Sequence, residues 1–290
     1  MILVVGATGL LGGHITRRLL DQGEPVRILV RQGADYDGLV TAGVEAAIGD
    51  LKDPDSVRAA CRGVDSVITT ANAIGRDGED NLESVDHIGN NNLIDAAAAQ
   101  GVRRFVFTSS LGADPDHPMP LLRIKGLVEQ RLRASGMTWT VLQPNFYMDT
   151  WIPAIVGGPA LTGQPVTLVG DGLRQHSMIA VRDVADYATA ALNHPDAHDQ
   201  TLRIGGPQPF TWRDVVATFE RELGKELSIQ SIAPGELIPH LPAVVSELAA
   251  VLAGYDSPLD MNELPRMFGV LPTTVASFVH DFVGSTQRAR

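Results

Sequence analysis

The sequence predicts an α/β fold, a doubly wound parallel sheet followed by a smaller C-terminal lobe interleaved with it. Three observations carry this. Short β-branched runs alternate with segments of helical spacing through the first half of the chain. The stretches between those runs are long enough to hold the crossover helices that parallel strands require. After about Pro144 the alternation gives way to a stretch rich in proline and glycine.

The elements follow in order. MILVV opens the chain as the first strand, and Leu11, Ile15 and Leu19 then share one face of a helix that Gly23 closes. Strands are expected at VRILV 26–30, VEAAI 44–48, VDSVITT 64–70, RRFVFT 103–108 and TWTVLQ 138–143. Asp53 and Pro54 read as the N-cap and first position of a helix. Longer helical patterns run from about Asn81 to Gln100, ended by Gly101, and from Leu121 to Ser135, ended by Gly136. Past Pro144, strands are expected at QPVTLV 164–169 and HSMIAV 176–181, helices after Asp183 and Thr211, and proline-broken helices from Pro234 to Pro272. The expected division is residues 1–150 for the sheet domain and 151–290 for the second lobe, with segments of the latter returning to the former.

Composition excludes several classes. The chain has 290 residues, 44% hydrophobic and 20% charged, with 23 basic against 34 acidic residues and a net charge of −11. That balance repels nucleic-acid backbones and anionic membranes. No stretch reaches the roughly 18 apolar residues of a membrane span, and MILVV is too short, and lacks the basic flank, for a secretory signal. The mature protein is expected to start near Met1 and to be cytoplasmic, a monomer or homodimer. Cys61 is the single cysteine, which excludes an internal disulfide framework or a zinc cluster and suits a reducing compartment. It reads as a small buried residue. No His, Glu or Cys spacing suggests a metal, and no G-x-S-x-G elbow suggests a hydrolase.

The stretch GATGLLGG lies between the first strand and the first helix. Gly6, Gly9 and Gly12 form G-x-x-G-x-x-G at that turn, where glycines permit a tight turn, close backbone approach to a pyrophosphate and close packing of helix on strand. The unpaired N–H groups and positive dipole end of the helix then face the phosphates. Thr8, Leu10 and Leu11 belong to the same turn. The reading is a Rossmann-type dinucleotide site. At the end of the second strand, where NAD binders usually carry an acid, stands Arg31, suited to bidentate binding of a 2′-phosphate. NADP(H) is favoured on that ground, while Asp35 nearby suits NAD(H).

GATGLLGG, the arginine of VRILVR, GDL at 49–51, ITTANA at 68–73, FTSS at 107–110, the lysine of IKGLVE, VRDVAD at 181–186 and the following LRIGGP together resemble the NmrA-like, atypical short-chain dehydrogenase/reductase family. The resemblance covers most of the chain. It implies that Asp50 and Leu51 border the adenine, that Ala71, Asn72 and Ala73 line the cofactor, that Thr108 and Lys125 contact it, and that Pro144, Asn145 and Phe146 lie near the nicotinamide. Many short-chain dehydrogenases carry Tyr-x-x-x-Lys, with phenol and ammonium one helical turn apart. Here Lys125 is present, but the position four residues earlier is Leu121. Lys125 either tunes a proton transfer or only anchors the cofactor. The chain holds three lysines, so an arginine fills most of its basic positions, which marks Lys125 out.

Ser110, beside Ser109, is a candidate for bonding a substrate carbonyl. Phe146, Tyr147, Met148 and Trp151 suit an aromatic or quinone-like small-molecule substrate. His176, and less so His117, has the chemistry of a proton donor near neutral pH. The expected activity is hydride transfer from NADPH to an apolar carbonyl or enone. Two alternatives stay open: an NADP-sensing regulator without turnover, motivated by the missing tyrosine, and an oxygenating tailoring enzyme acting on aromatic polyketide-like substrates.

Overall fold

The β-branched runs form strands β1 (Ile2–Val5), β2 (Val26–Val30), β3 (Glu45–Ile48), β4 (Ser66–Thr69), β5 (Arg104–Thr108) and β6 (Thr138–Pro144). Two more, β7 (Val166–Val169) and β8 (Gln200–Ile204), follow before β9 (Ile229–Ile232). The computed structural model describes residues 1–74, 78–239 and 241–288. Seven strands form one parallel sheet in the order β3-β2-β1-β4-β5-β6-β8. The direction of winding reverses between β1 and β4, and in open α/β sheets ligands bind outside the carboxyl ends of the strands at that reversal.

The chain divides into two units. The first comprises Met1–Pro144, Val184–Ile204 and Phe268–Val270. Its core is built on apolar strand residues, Leu3, Val5, Val67, Phe105, Phe107 and Val141, covered by Val57, Leu93, Ile94, Val128 and Leu132 from helices. Burying each such side chain contributes about 1.5–3 kcal/mol. Cys61 belongs to this core, and burial pushes its thiol up to about 11.

The second unit comprises Asn145–Asp183, Gly205–Met267 and Leu271–Arg290. It contains the parallel pair β7 and β9 and a core of its own that includes Met148, Trp151, Ile155, Phe210, Trp212, Phe219 and Val279. Asp183 is buried there, its carboxylate accepting from the Thr273 N–H and hydroxyl at 2.7 Å each.

Three of the expected elements take another form, and β8 and β9 stand where no strand was expected. HSMIAV 176–181 is not a ladder strand. It makes isolated bridges only, from His176 to Phe210 and Ser257 and from Ile179 to Tyr147, because its side chains bury on every side rather than on one face. The helix expected after Asp183 starts earlier, at Val181, with Asp183 in its first turn. The long pattern near residues 81–100 is two pieces, a π-type segment Leu82–Gly89 continued by the α-helix Asn90–Ala99.

Candidate active site

The turn after β1 is shaped by two close approaches. Gly6 has a φ of 89°, and a Cβ added to Gly12 would stand 2.1 Å from the Gly6 carbonyl oxygen. Only glycine at position 12 lets the helix Leu10–Asp21 lie on the turn. That helix has Gly9 at its N-cap, no side-chain cap and no acid in its first turn. Two other helices are closed at this end: Asp53 accepts from the Asp55 N–H, and Thr211 and Asp214 cap each other's backbone. The uncapped N-terminus, with Thr8, Gly9 and Leu10 exposed and Leu11 buried beneath, offers free N–H groups and the positive dipole end to an anion.

Beside it, Arg31 at the end of β2 pairs with Asp80, and the Lys52 Nζ lies 2.6 Å from the other Asp80 oxygen and 3.8 Å from Asp50. The hydrogen bond to Asp80 pushes the Lys52 ammonium above its ordinary value. Asp50 Oδ1 accepts from the Lys52 N–H at 2.8 Å. Leu51 turns its side chain into the core while its carbonyl accepts from Asn92. Two cations thus converge on one carboxylate beside the glycine turn. Sequence reasoning passed over Lys52, although its place in GDLKD, directly behind a strand and in a lysine-poor chain, was a signal.

The loop after β4 is held from below. Asn72 folds onto its own loop, donating to the Thr70 carbonyl and accepting from the Ile74 N–H. Ala73 N–H donates to Asp86 Oδ2 at 2.8 Å. Asn90, fully buried, accepts from the Thr69 hydroxyl and donates to the carbonyls of Asp86 and Ala71. The π-type segment projects Asp86 inward, a local distortion often found at functional sites.

The helix Pro120–Arg133 starts with proline at N1 and buries Ile124, Val128 and Leu132 together with Lys125 and Glu129. A Cβ on Gly126 would meet the Asp114 carbonyl carbon at 2.3 Å, so the helix presses on the loop after β5 at the residue next to Lys125. The Lys125 side chain is 6% exposed, and its Nζ lies 3.1 Å from Asp86 Oδ1 and 5.1 Å from the Phe107 ring centre. Leu121, one turn earlier, is half-buried and brings no acid. Thr108 ends β5 with a buried hydroxyl that has no partner among the described residues.

Glu129 is 2% exposed and fully engaged: one oxygen accepts from the Ser109 hydroxyl and the Gln143 amide, the other pairs with Arg133 at 2.7 Å. Ser109 is therefore a structural hydroxyl. Ser110 is half-buried, with its carbonyl accepting from the Ala113 N–H, and the Pro144 carbonyl accepts from the Leu111 N–H at 3.0 Å.

The remaining sequence candidates lie in the second unit. Asn145 spends its side chain on Ser257 and the Phe146 N–H. Phe146 meets Trp151 and His176 edge to face, with ring centres 6.1 and 6.0 Å apart. Met148 is fully buried, and burial pushes the Tyr147 phenol well above its ordinary value. His176 Nε2 donates to the Leu252 carbonyl, so Nδ1 accepts from the Ser257 hydroxyl at 2.7 Å. Burial holds its imidazole below the usual value, hence neutral at pH 7. Among the described residues no cluster of His, Cys, Asp and Glu could hold a metal, and no helix is long and apolar enough to cross a membrane.

An uncapped helix behind a glycine turn, paired cations beside it, and a Thr108 hydroxyl without a partner among the described residues fit a nicotinamide dinucleotide, whose diphosphate, ribose and amide ask for those groups. The comparisons agree. A family model described as NAD(P)H-binding matches residues 6–195. An NAD(P)H azoreductase from Xenophilus azovorans is 33% identical over 234 residues, 80% of this chain and 77% of that protein. The photosystem II assembly factor Ycf39 of Guillardia theta is 28% identical over 99% of this chain and 95% of its own. The crystal structure of Citrobacter sp. triphenylmethane reductase complexed with NADP(H) superposes with a TM-score of 0.82 at 21% identity, covering 97% of this chain and 100% of that one. The chain belongs to the NAD(P)H-binding, atypical short-chain dehydrogenase/reductase (NmrA-like) family, a class of NAD(P)H-dependent oxidoreductases.

Proposed function

We propose that the protein is an NADPH-dependent reductase of flat, conjugated acceptors of quinone, azo or dye type. The observation that carries this is the pairing, along one edge of one sheet, of an anion-binding glycine turn with a buried lysine. The azoreductase relationship supports the acceptor class. Bound NADPH would supply the hydride. The glycine turn and the N–H groups of residues 10–12 hold the diphosphate, and the backbone of Ala71–Ala73 lines the bound cofactor. Arg31 and Lys52 exchange Asp80 for a 2′-phosphate, the basis of a preference for NADP(H) over NAD(H). The Thr108 hydroxyl and Lys125 ammonium hold the nicotinamide end, with Ser110 and Lys125 at the acceptor oxygen or nitrogen, where a proton must arrive as hydride adds to the conjugated system. In the second unit, Phe146, Tyr147 and Trp151 offer flat apolar groups that suit extended π systems, whereas Met148 has no exposed surface and packs in that unit's core. His176 has both ring nitrogens bonded within its own unit and serves to hold that cluster.

The test is anaerobic incubation of pure protein with NADPH and a panel of quinones, azo dyes and enones. Cofactor oxidation with matching product formation is expected, and none across the panel defeats the reading. A second reading is favoured by one observation, the 28% identity to a photosystem II assembly factor over nearly the whole chain: a nucleotide-sensing partner protein without turnover. Tight NADPH binding, no turnover and a copurifying protein select it.

A further inference from the structure

A buried carboxylate stands behind the lysine. Asp86 is fully buried, and its two oxygens do different work. Oδ2 accepts from the Ala73 N–H at 2.8 Å and so shapes the loop after β4. Oδ1 lies 3.1 Å from Lys125 Nζ, off the axis of a hydrogen bond, and accepts from no other group among the described residues. Lys125 in turn makes no hydrogen bond to another described residue. Its ammonium faces one carboxylate oxygen and the Phe107 ring, with donors left over for a ligand.

Stability alone does not account for this pair. An apolar pair of similar volume in the same place is generally as stable as a buried ion pair or more so, because both charges lose their water. The scaffold nonetheless invests several features in holding the two groups together. The π-type turn swings Asp86 inward, Asn90 ties that turn to β4 and its loop, and Gly126 lets the lysine helix press against the loop after β5.

We propose that Asp86 is a positioning residue: its Oδ1 holds the Lys125 ammonium at the cleft edge in the orientation that hydride transfer requires. The inference rests on the reading of Lys125 as part of the reductive site. Asp86→Asn is the selective test, because asparagine still accepts from Ala73 while removing the charge that faces the ammonium. The expected result is a fall in kcat of about ten- to hundredfold, as for a misplaced reacting group, with the Kd for NADPH and the melting temperature close to those of the parent. Lys125→Met should lower kcat as well, and the double variant should be no slower than Lys125→Met, since both changes act through one ammonium. If Lys125→Met is impaired while Asp86→Asn keeps full kcat, or if the two losses multiply, the role of Asp86 is overturned. If Lys125→Met keeps full kcat, the reading of Lys125 falls first and takes Asp86 with it.

Should Asp86→Asn fail to fold, the parent chain still decides. It has three lysines, so ¹⁵N-lysine NMR of the NADPH complex can follow each ammonium, with Lys125 assigned by its absence in Lys125→Met. A Lys125 ammonium held by Asp86 exchanges protons slowly with solvent. Exchange as fast as that of exposed Lys225 contradicts the proposal.

Discussion

The carboxyl ends of β1–β3 and of β4–β6 treat polar side chains in opposite ways. At the first, Arg31 and Lys52 stand partly in solvent, share Asp80, and border a helix end without a cap. At the second, Lys125 and Glu129 are buried and each is tied to fixed partners. The difference is one of exchangeability. Exposed ion pairs contribute about 0–1 kcal/mol and give way readily to a better anion, whereas a buried group deprived of its partner leaves an uncompensated charge or an unsatisfied donor. The first end is built to receive, the second to hold still.

The largest effect should come from breaking the receiving end at its backbone. Gly12→Val puts side-chain carbon where the Gly6 carbonyl already stands, 2.1 Å from the would-be Cβ. Forcing the helix off the turn costs about 3 kcal/mol, and NADPH binding, measured by fluorescence titration, should weaken by about a hundredfold or more. Retained affinity would show that the diphosphate does not lie on this turn.

The matching test of the holding end is Glu129→Ala. It strands the Ser109 hydroxyl and the Gln143 amide and releases half-exposed Arg133. The expected loss of unfolding free energy in urea is about 3 kcal/mol. Glu129→Gln, which keeps an acceptor for Ser109, should lose less, and equal losses would mean that charge rather than hydrogen bonding dominates there.

These contrasts explain what the sequence could and could not disclose. Strands β1, β2 and β4–β6 and the glycine turn were legible because buried parallel strands are β-branched apolar runs and a helix on a tight turn needs glycine. β8 was not: QTLRI sits at the sheet edge with only Leu202 and Ile204 buried, so its pattern is faint. The run 176–181 had the composition of a strand, yet its partners are single residues from separate segments, and composition carries no pairing information. Arg31 stood out as a cation at the end of a strand, and Lys125 through the family resemblance and the scarcity of lysine. Their counterparts Asp80, Asp86 and Glu129 did not, because an acid on a helix or loop reads as solvated until tertiary structure buries it.

A smaller effect sharpens the receiving end. Arg31→Ala removes one of two cations from the proposed 2′-phosphate contact. Charge-assisted bonds contribute about 1.5–3 kcal/mol, so NADPH should bind about ten- to hundredfold less tightly at low salt while NADH changes by no more than about twofold. The gap between the two cofactors should narrow as ionic strength rises, since exposed charges are screened. Parallel losses for both would place Arg31 on a part the two cofactors share.

The smallest expected effect extends the holding principle to the second unit, where His176 is buried with both ring nitrogens engaged. Burial lowers its folded-state pKa, so below the ordinary imidazole value, about 6.5, the unfolded chain binds more protons than the folded one. Stability therefore falls as pH drops from 6.5 toward the depressed value and is fully present above that window. Asp256, held below the usual carboxylate range by the Gln175 N–H and Arg174, contributes in the same sense but in a lower window, its stabilisation being lost only at pH near 4 and beneath. The two windows separate. His176→Gln should be less stable than the parent at pH 8 and should lack the parent's decline between pH 7 and 5, so the two melting curves converge as pH falls. Parallel curves would show that the ring takes up a proton at no cost to the fold, against the burial that leaves an imidazolium there short of water and with no carboxylate bonded to it.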